Sequence, residues 1–331
     1  MTDQLAVGVI GLGGMGGRHV ENLQHSASAA RVVAVMDVDQ GRLSDTAARC
    51  AAKEHEDAYE LIADPLVEAV VIASPDASHA ALTLACVSAG KPVLCEKPLA
   101  TAVADARSVV DAEVAARRRL VQVGLMRHYD PQHVDVRESI ARGDIGRALF
   151  FRGWHRNVAV TPLPSAREAM INSVVHDLYS ARWLLDSEIA EISVLATPID
   201  PDRSVEPVLL IISLRMTGGA LAVIEFNMDS SYGYEVGIEV VGSEGTLTGA
   251  PHHTPRIRRG GQITHLVEQD WLERFARAYE IEVTAWARSA LEGRVDGPSA
   301  WDGYATLAAA EAGARAISEG PQELDLGDPP A

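Results

Sequence analysis

The chain has 331 residues, of which 47% are hydrophobic, and a formal net charge of −17 at pH 7. This length allows two domains, and the acidic balance argues against nucleic-acid or anionic-membrane partners, which need a basic surface. No apolar run of about 18 residues and no signal-peptide pattern occurs, so we expect neither a membrane span nor a leader. Three cysteines without metal spacing are typical of reduced thiols in a cytoplasmic protein.

The first 125 residues alternate short apolar runs with helical stretches. Alanine-rich segments over residues 79–89 and 103–119 have the composition of helices. The apolar runs cover residues 5–10, 31–36, 69–73, 92–95 and 120–126. Because fully buried parallel strands are continuous apolar runs, this alternation predicts a parallel sheet with helices on both faces.

After residue 126 the pattern changes to strands that follow one another without helices between them. Predicted strands cover residues 148–155, 192–196, 208–215, 220–227 and 234–241. Predicted helices cover residues 131–142, 170–185, 271–291 and 301–318. This order favours an α+β domain with a large open mixed or antiparallel sheet. We therefore predict an α/β domain at residues 1–125 and a second domain at residues 126–331, with a C-terminal helix that can pack back between them.

The first predicted strand leads into a glycine-rich turn that matches G-x-G-x-x-G at Gly11, Gly13 and Gly16. Directly after a strand and at the start of a helix, this pattern is the fingerprint of a dinucleotide-binding Rossmann fold. Gly11 permits the tight turn, Gly13 lets the backbone approach a pyrophosphate, and Gly16 lets the helix pack closely on the strand. The helix N-terminus then faces the phosphates. Leu12 and Met15 lie in the same turn and are predicted to bind the cofactor with it.

An acid, Asp37, ends the second predicted strand at about the spacing that the fingerprint requires. A carboxylate there accepts hydrogen bonds from the ribose hydroxyls of adenosine and repels a 2′-phosphate. The two motifs together therefore predict NAD rather than NADP. The competing interpretation is that the glycines form only a turn and that Asp37 caps a helix.

A second motif, Cys-Glu-Lys-Pro at residues 95–98, follows the fourth predicted strand. Together with the glycine fingerprint, it resembles the glucose–fructose oxidoreductase and inositol dehydrogenase family. Within that family, the bacterial myo-inositol 2-dehydrogenases are most similar at residues 121–130, 155–157, 232–235 and 297–304. The resemblance implies a Rossmann domain, a second domain built on an open mixed sheet, and a tetramer that forms through that sheet.

The resemblance also implies the catalytic residues. Lys97 and His176 would act on the reacting hydroxyl, with His176 as the base and Lys97 as the positioning cation. A histidine exchanges a proton near neutral pH, and an ammonium stabilises an oxyanion. The family expects an aspartate where this chain has Asn172, and inositol dehydrogenases tend to carry an acid at Tyr179. Asp177 falls on a different helical face and is not expected to substitute, so these departures bear on the substrate more than on the reaction class.

By the same resemblance, the cofactor would be held by Gly11, Leu12, Gly13, Met15, Gly16, Asp37, Ser74, His79, Glu96 and Lys97. The substrate would contact Arg127, His155, Asn157, Ser173 and Tyr234. For His79 the competing interpretation is packing at a helix start, and for Asn172 it is a capping or packing amide. No spacing of His, Cys, Asp and Glu residues suggests a metal site.

We therefore predict NAD-dependent oxidation of one secondary hydroxyl of a cyclitol, myo-inositol first, to the ketone. Asn172 and Tyr179 motivate an alternative, a ketocyclitol or keto-sugar reductase in a biosynthetic pathway. A second alternative is an NAD-retaining glycoside hydrolase, although no paired-carboxylate pattern demands it. A third is a dinucleotide sensor without catalysis, against which the retention of Lys97 and His176 counts. The predicted partners are a small polyol and other copies of the chain in a cytoplasmic homotetramer.

Overall fold

The computed structural model describes residues 4–25, 29–158, 164–198, 207–249, 257–264 and 266–330. The chain forms two compact units. The first unit comprises Met1–His128, Arg277–Leu307 and Asp328–Ala331, and the second unit comprises Tyr129–Ala276 and Ala308–Gly327. The chain leaves the first unit close to the predicted boundary at residue 125 and returns to it for part of its C-terminal helices.

The first unit contains a six-stranded sheet in which neighbouring strands are parallel. Its strands are β1 (Leu5–Ile10), β2 (Ala30–Met36), β3 (Lys53–His55), β4 (Ala69–Ile72), β5 (Val93–Glu96) and β6 (Val121–Gly124). The helices between them are α1 (Gly14–His25), α2 (Gln40–Cys50), α3 (Ala58–Ala63), α4 (His79–Ser88) and α5 (Val103–Ala116). The strand order is β3-β2-β1-β4-β5-β6, which confirms the predicted Rossmann fold. The order reverses between β1 and β4, and such folds bind ligands at the carboxyl ends of the strands there.

The central strands of this sheet are covered on both faces, which explains why their sequences are continuous apolar runs. Every residue of β1, β4, β5 and β6 is buried. Val9 and Leu94 share a core cluster with Val20 of α1 and with Trp286. Trp286 belongs to the long helix α9 (Trp271–Leu291), so this late segment completes the core of the first unit. Each such fully buried side chain stabilises the unit by about 1.5–3 kcal/mol.

The second unit contains a seven-stranded sheet ordered β12-β11-β7-β10-β9-β8-β15. Its strands are β7 (Ala148–Val158), β8 (Ile189–Pro198), β9 (Pro207–Met216), β10 (Leu221–Ser230), β11 (Glu235–Gly242), β12 (Thr246–Thr248) and β15 (Gln322–Glu323), while β13 (Ile257–Arg259) and β14 (Gln262–Thr264) form a separate hairpin. Strands β7 and β10 pair in parallel and the other pairs are antiparallel. The predicted open mixed sheet is confirmed.

The single helix predicted at residues 170–185 is interrupted in the structure. Two helices, α7 (Ala166–Ala169) and α8 (Val175–Leu185), flank a π-helical turn at Met170–Val174. The other helices are α6 (Pro131–Ala141) and α10 (Ala300–Glu319), the second of which is shared with the first unit. Within the described residues, no helix has the length and apolar character needed to cross a membrane.

Candidate active site

The glycine-rich turn between β1 and α1 has three distinct environments. The backbone at Gly11 has a φ of +86°, and a Cβ there would lie 2.5 Å from the carbonyl oxygen of Ala73. A Cβ on Gly16 would collide with the carbonyl oxygen of Gly11. A Cβ on Gly13 would meet no protein atom within 4 Å. The protein's own packing therefore requires glycine at residues 11 and 16, whereas Gly13 faces open space, which fits a backbone approached by a pyrophosphate.

The carboxylate of Asp37, at the end of β2, lies beside this turn. Its Oδ2 accepts a hydrogen bond from the Leu12 backbone N–H at 2.6 Å. Its Oδ1 accepts from the Asp39 backbone N–H at 2.8 Å and from Arg42 Nη2 at 3.0 Å. Burial opposes ionisation of Asp37, but these donors outweigh it and lower the pKa. The N-cap of α2 is Asp39, so helix capping does not account for Asp37.

The loops that follow β4 and β5 are joined by the His79 side chain. Its Nδ1 lies 2.7 Å from the Pro98 carbonyl oxygen, and its Nε2 lies 2.8 Å from the Ser74 carbonyl oxygen. The Ser74 and Ser78 hydroxyl oxygens are 2.6 Å apart, and the Lys97–Pro98 peptide bond is cis. Three residues predicted to bind the cofactor, Ser74, His79 and Lys97, are thus brought together at one edge of the sheet.

Lys97 follows β5 directly and is partly exposed. Partial burial lowers the pKa of its ammonium, although the charges of Glu96 and Asp76 act in the opposite direction. The Glu96 Oε1 lies 2.7 Å from His19 Nε2, and its Oε2 accepts from the Lys97 backbone N–H at 3.3 Å. Burial alone would raise the pKa of Glu96, but His19 and Lys97 outweigh it and lower that pKa. Glu96 therefore anchors the backbone of Lys97 from inside the protein, a role that was not predicted.

A second buried carboxyl, Glu282 on α9, lies near this anchor. It is fully buried, and neither of its oxygens has a hydrogen-bond partner among the described residues. One turn earlier on α9, Tyr279 packs edge-on against the His19 ring with centroids 6.4 Å apart, so Glu282 lies on the same helix face. Burial and the negative charge of Glu96 raise the pKa of Glu282 well above its ordinary value. The pKa values of the two buried carboxyls are therefore shifted in opposite directions, that of Glu282 upward and that of Glu96 downward.

In the second unit, His176 lies in the first turn of α8 and is buried. The π-helical turn before it contains Asn172 and Ser173, where a continuous α-helix was predicted. Such turns are frequent at functional sites. Asn172 is exposed, and the hydroxyl of the partly exposed Ser173 accepts a hydrogen bond from Asn157 Nδ2 at 3.2 Å. Two predicted substrate contacts, Asn157 and Ser173, therefore meet one turn from His176.

His155 is the centre of a buried chain of three polar side chains. Its Nδ1 lies 2.7 Å from Asp177 Oδ2, and its Nε2 lies 3.1 Å from the Tyr234 hydroxyl. Because a carboxylate only accepts, Nδ1–H donates to Asp177, and in the neutral ring Nε2 then accepts from the Tyr234 O–H. Asp177 thereby fixes the orientation of the His155 ring.

Two other positions singled out in the sequence carry buried side chains. Tyr179 is 2% exposed and stacks on Trp183 with ring centroids 6.2 Å apart. Tyr179, where the resemblance implies an acid, is therefore an aromatic core side chain. Arg127, in the first unit, is fully buried, and its assignment as a substrate contact stays a prediction.

A further buried network in the second unit was not predicted. Asp130 pairs through Oδ1 with Arg274 Nη1 at 2.9 Å and through Oδ2 with His133 Nδ1 at 2.6 Å. Burial opposes ionisation of Asp130, but His133 and Arg274 outweigh it and hold its pKa far below the ordinary value. No group of three or more His, Cys, Asp or Glu side chains in the described ranges could hold a metal ion. The network is therefore an internal ion pair that ties α6 to the start of α9.

Known proteins resemble this chain along its whole length. Residues 5–125 match the oxidoreductase family with an NAD-binding Rossmann fold, and residues 133–248 match the GFO/IDH/MocA C-terminal domain. Inositol 2-dehydrogenase from Rubrobacter xylanophilus is 46% identical, over 99% of this chain and 96% of its own. Inositol 2-dehydrogenase 1 from Saccharopolyspora erythraea is 43% identical, over 98% of each chain.

A solved structure of an inositol dehydrogenase also resembles this chain along its whole length. Myo-inositol dehydrogenase from Lactobacillus casei, in complex with NAD(H) and myo-inositol, is 30% identical with a TM-score of 0.93, over 99% of this chain and 98% of its own. The open face at Gly13, the ionised Asp37 and the helix that begins at Gly14 fit the dinucleotide that the Rossmann match implies. This chain is therefore a member of the GFO/IDH/MocA family of oxidoreductases, and its first unit is the NAD-binding Rossmann domain of that family.

Proposed function

We propose that this enzyme oxidises one secondary hydroxyl of a cyclitol, myo-inositol first, to the ketone, with NAD⁺ as hydride acceptor. The observation that carries the proposal is the likeness, along the whole chain, to a structure that holds NAD(H) and myo-inositol. Lys97 after β5 and His176 on α8 are the proton-handling groups that such a reaction needs. The buried chain around His155 adds a fixed polar group for a polyhydroxylated substrate.

Lys97 and His176 have different roles in the proposed proton transfer. Bound NAD⁺ supplies the hydride acceptor. The Lys97 ammonium, on a backbone that Glu96 holds, donates a hydrogen bond to the reacting oxygen and stabilises its anionic form. His176 takes the hydroxyl proton and returns it in the reverse reaction. Asn172 can orient a neighbour through a hydrogen bond, but it adds no negative charge that would stabilise a His176 imidazolium.

A second candidate is a ketocyclitol or keto-sugar reductase. It is favoured by the exposed amide at Asn172 and the packed ring at Tyr179, at two positions where the resemblance implies acids. The reaction class is the same, and only the substrate and the working direction differ. An NAD-retaining glycoside hydrolase is the candidate from another class, and it would release a sugar without net formation of NADH.

Absorbance of NADH separates these candidates. We expect NADH to form when the enzyme is mixed with NAD⁺ and myo-inositol, and Lys97→Met and His176→Asn each to lower kcat by about 10²–10⁴-fold. Lys53→Met is the matched control, since Lys53 is largely exposed and pairs with Asp64 at 2.7 Å. If no inositol isomer gives NADH and the enzyme instead consumes NADH when a ketocyclitol is supplied, the enzyme is the reductase.

We also propose that the enzyme is a cytoplasmic homotetramer. All three cysteines are free thiols, which suits a reducing compartment. Apolar side chains stay exposed or partly exposed on the second-unit sheet, among them Leu195, Leu221 and Val223. Such a face suits burial against another copy of the chain. Light scattering that gives the mass of a single chain would exclude the tetramer.

A further inference from the structure

The His79 side chain has an unusual pair of hydrogen-bond partners. It is the first residue of α4 and is 1% exposed. Both of its ring nitrogens lie within hydrogen-bond distance of backbone carbonyl oxygens, Pro98 at 2.7 Å and Ser74 at 2.8 Å. A carbonyl oxygen accepts hydrogen bonds and never donates them. Both contacts are therefore favourable only if both nitrogens carry a proton.

A neutral imidazole does not satisfy this geometry. It has one N–H group, and its other nitrogen presents a lone pair. That lone pair would face the oxygen of Pro98 or Ser74 in a buried site, where an unmade hydrogen bond costs most. Only the imidazolium makes both contacts, and its hydrogen bonds are the stronger, charge-assisted kind.

The charges around the ring act in both directions. The titratable groups near it are Cys95 and Glu96 on β5, Lys97 beside Pro98, and Asp76 in the turn before α4. Burial and the positive end of the α4 dipole oppose the imidazolium. The Cys95 sulfur and the two carbonyl oxygens favour it more strongly and raise the pKa of His79 to about 10. The same positive charge lowers the pKa of Glu96.

We propose that the His79 side chain is an imidazolium that joins the loops after β4 and β5 and thereby positions Lys97. One hydrogen bond holds the carbonyl of Ser74 and the other holds the carbonyl of Pro98, the residue that follows Lys97. With Glu96 bound to the Lys97 N–H, the backbone of Lys97 is held on both sides. His79 is thus a positioning residue. Its protonation is independent of the proposed function, whereas its effect on turnover rests on it.

The protonation state is tested directly on the wild-type enzyme. Nitrogen-15 NMR of histidine-labelled protein, with the signals assigned by their loss in His79→Gln, reports whether each ring nitrogen carries a proton. We expect both His79 nitrogens to stay protonated from about pH 6 to 9, a range in which an ordinary histidine becomes neutral. A neutral ring at pH 7.5 overturns the proposal, whatever the activity of the enzyme.

Variants test the positioning role. His79→Asn and His79→Gln each keep one donating nitrogen in place of two, and His79→Leu keeps none. His25→Gln is the control because His25 is exposed on α1. We expect kcat to fall by about 10–100-fold with one donor and further with none, since small displacements of a catalytic group have effects of this size. The alkaline limb of the kcat profile should move to higher pH, because the loss of a nearby positive charge raises the pKa of Lys97.

Stability gives a readout that does not depend on activity. A histidine whose pKa is raised by folding stabilises the protein most below the unfolded pKa, and loses that contribution as pH rises toward the folded one. The wild type and His79→Gln should therefore differ less and less in their unfolding midpoints as the pH rises from about 6.5 to 10. A difference that is constant with pH, or a kcat profile with an unmoved alkaline limb, contradicts the proposal. An enzyme inactive with all polyols would refute the function alone.

Discussion

Replacement of Glu282 by glutamine should make the protein more stable, increasingly so as the pH rises. The carboxyl of Glu282 is fully buried, lacks hydrogen-bond partners among the described residues and lies near the ionised Glu96. In the unfolded chain the same carboxyl loses its proton near pH 4.3. Folding must therefore return a proton to Glu282, which becomes more costly at every step toward higher pH.

The size of the effect follows from proton linkage. Where the folded state binds one more proton than the unfolded state, the free energy of unfolding falls by about 1.4 kcal/mol per pH unit. This condition holds above the unfolded pKa and up to the folded pKa, which burial and Glu96 raise. For each pH unit between the unfolded and the folded pKa, the wild type should thus lose about 1.4 kcal/mol relative to Glu282→Gln, whose amide has no proton to regain.

Urea unfolding at several pH values measures this difference, with NAD absent so that ligand binding does not shift the midpoint. Glu280→Gln on the same helix is the control, because it removes a partly exposed carboxyl that pairs with Arg277 and leaves the buried site intact. A difference between wild type and Glu282→Gln that stays constant from pH 5 to 7 would show that Glu282 is ionised in the fold, and would refute the reasoning.

Three further substitutions test other parts of the molecule. Asp37→Ala should raise the KM for NAD by about 10–100-fold, since charged hydrogen bonds are worth about 1.5–3 kcal/mol, and should reduce the enzyme's preference for NAD over NADP. Steady-state kinetics with both cofactors measures both changes. Asp130→Ala leaves the Arg274 guanidinium buried without its carboxylate and should lower the free energy of unfolding by about 3–5 kcal/mol in urea. Asp177→Asn should lower kcat by about 10–100-fold at nearly unchanged melting temperature, because an amide does not fix the His155 tautomer. An unchanged kcat would exclude a role of Asp177 in orienting His155.

The parts of this fold that the sequence predicts are those with a local signal. Strands β1 and β4 are continuous apolar runs because both faces of the parallel sheet are covered. Gly11 and Gly16 are predictable because one needs a positive φ and the other a close backbone contact. Asp37 follows from its place at the end of β2. In each case a few adjacent residues contain the physical requirement.

The parts that the sequence does not predict depend on partners far apart in the chain. His19 and Glu96 are 77 residues apart, and Asp130 and Arg274 are 144 apart. No periodicity links such residues, because a hydrogen bond needs only two atoms at one distance, whichever elements carry them. The π-helical turn at Met170–Val174 is missed for another reason. It falls within a longer segment with a helical pattern, and the extra residue in the turn leaves no signal of its own.

In each of the two units, a buried carboxylate holds a side chain for which a role in the reaction is proposed. In the first, a buried carboxylate, Glu96, binds the backbone of Lys97. In the second, a buried carboxylate, Asp177, binds the ring of His155. The Asp177 carboxylate acts on the ring of His155, and the amide of Asn172 carries no negative charge. In the proposed reaction, Asn172→Asp should therefore change the pH dependence of kcat more than the stability of the fold, because Asn172 is exposed and an aspartate adds a negative charge.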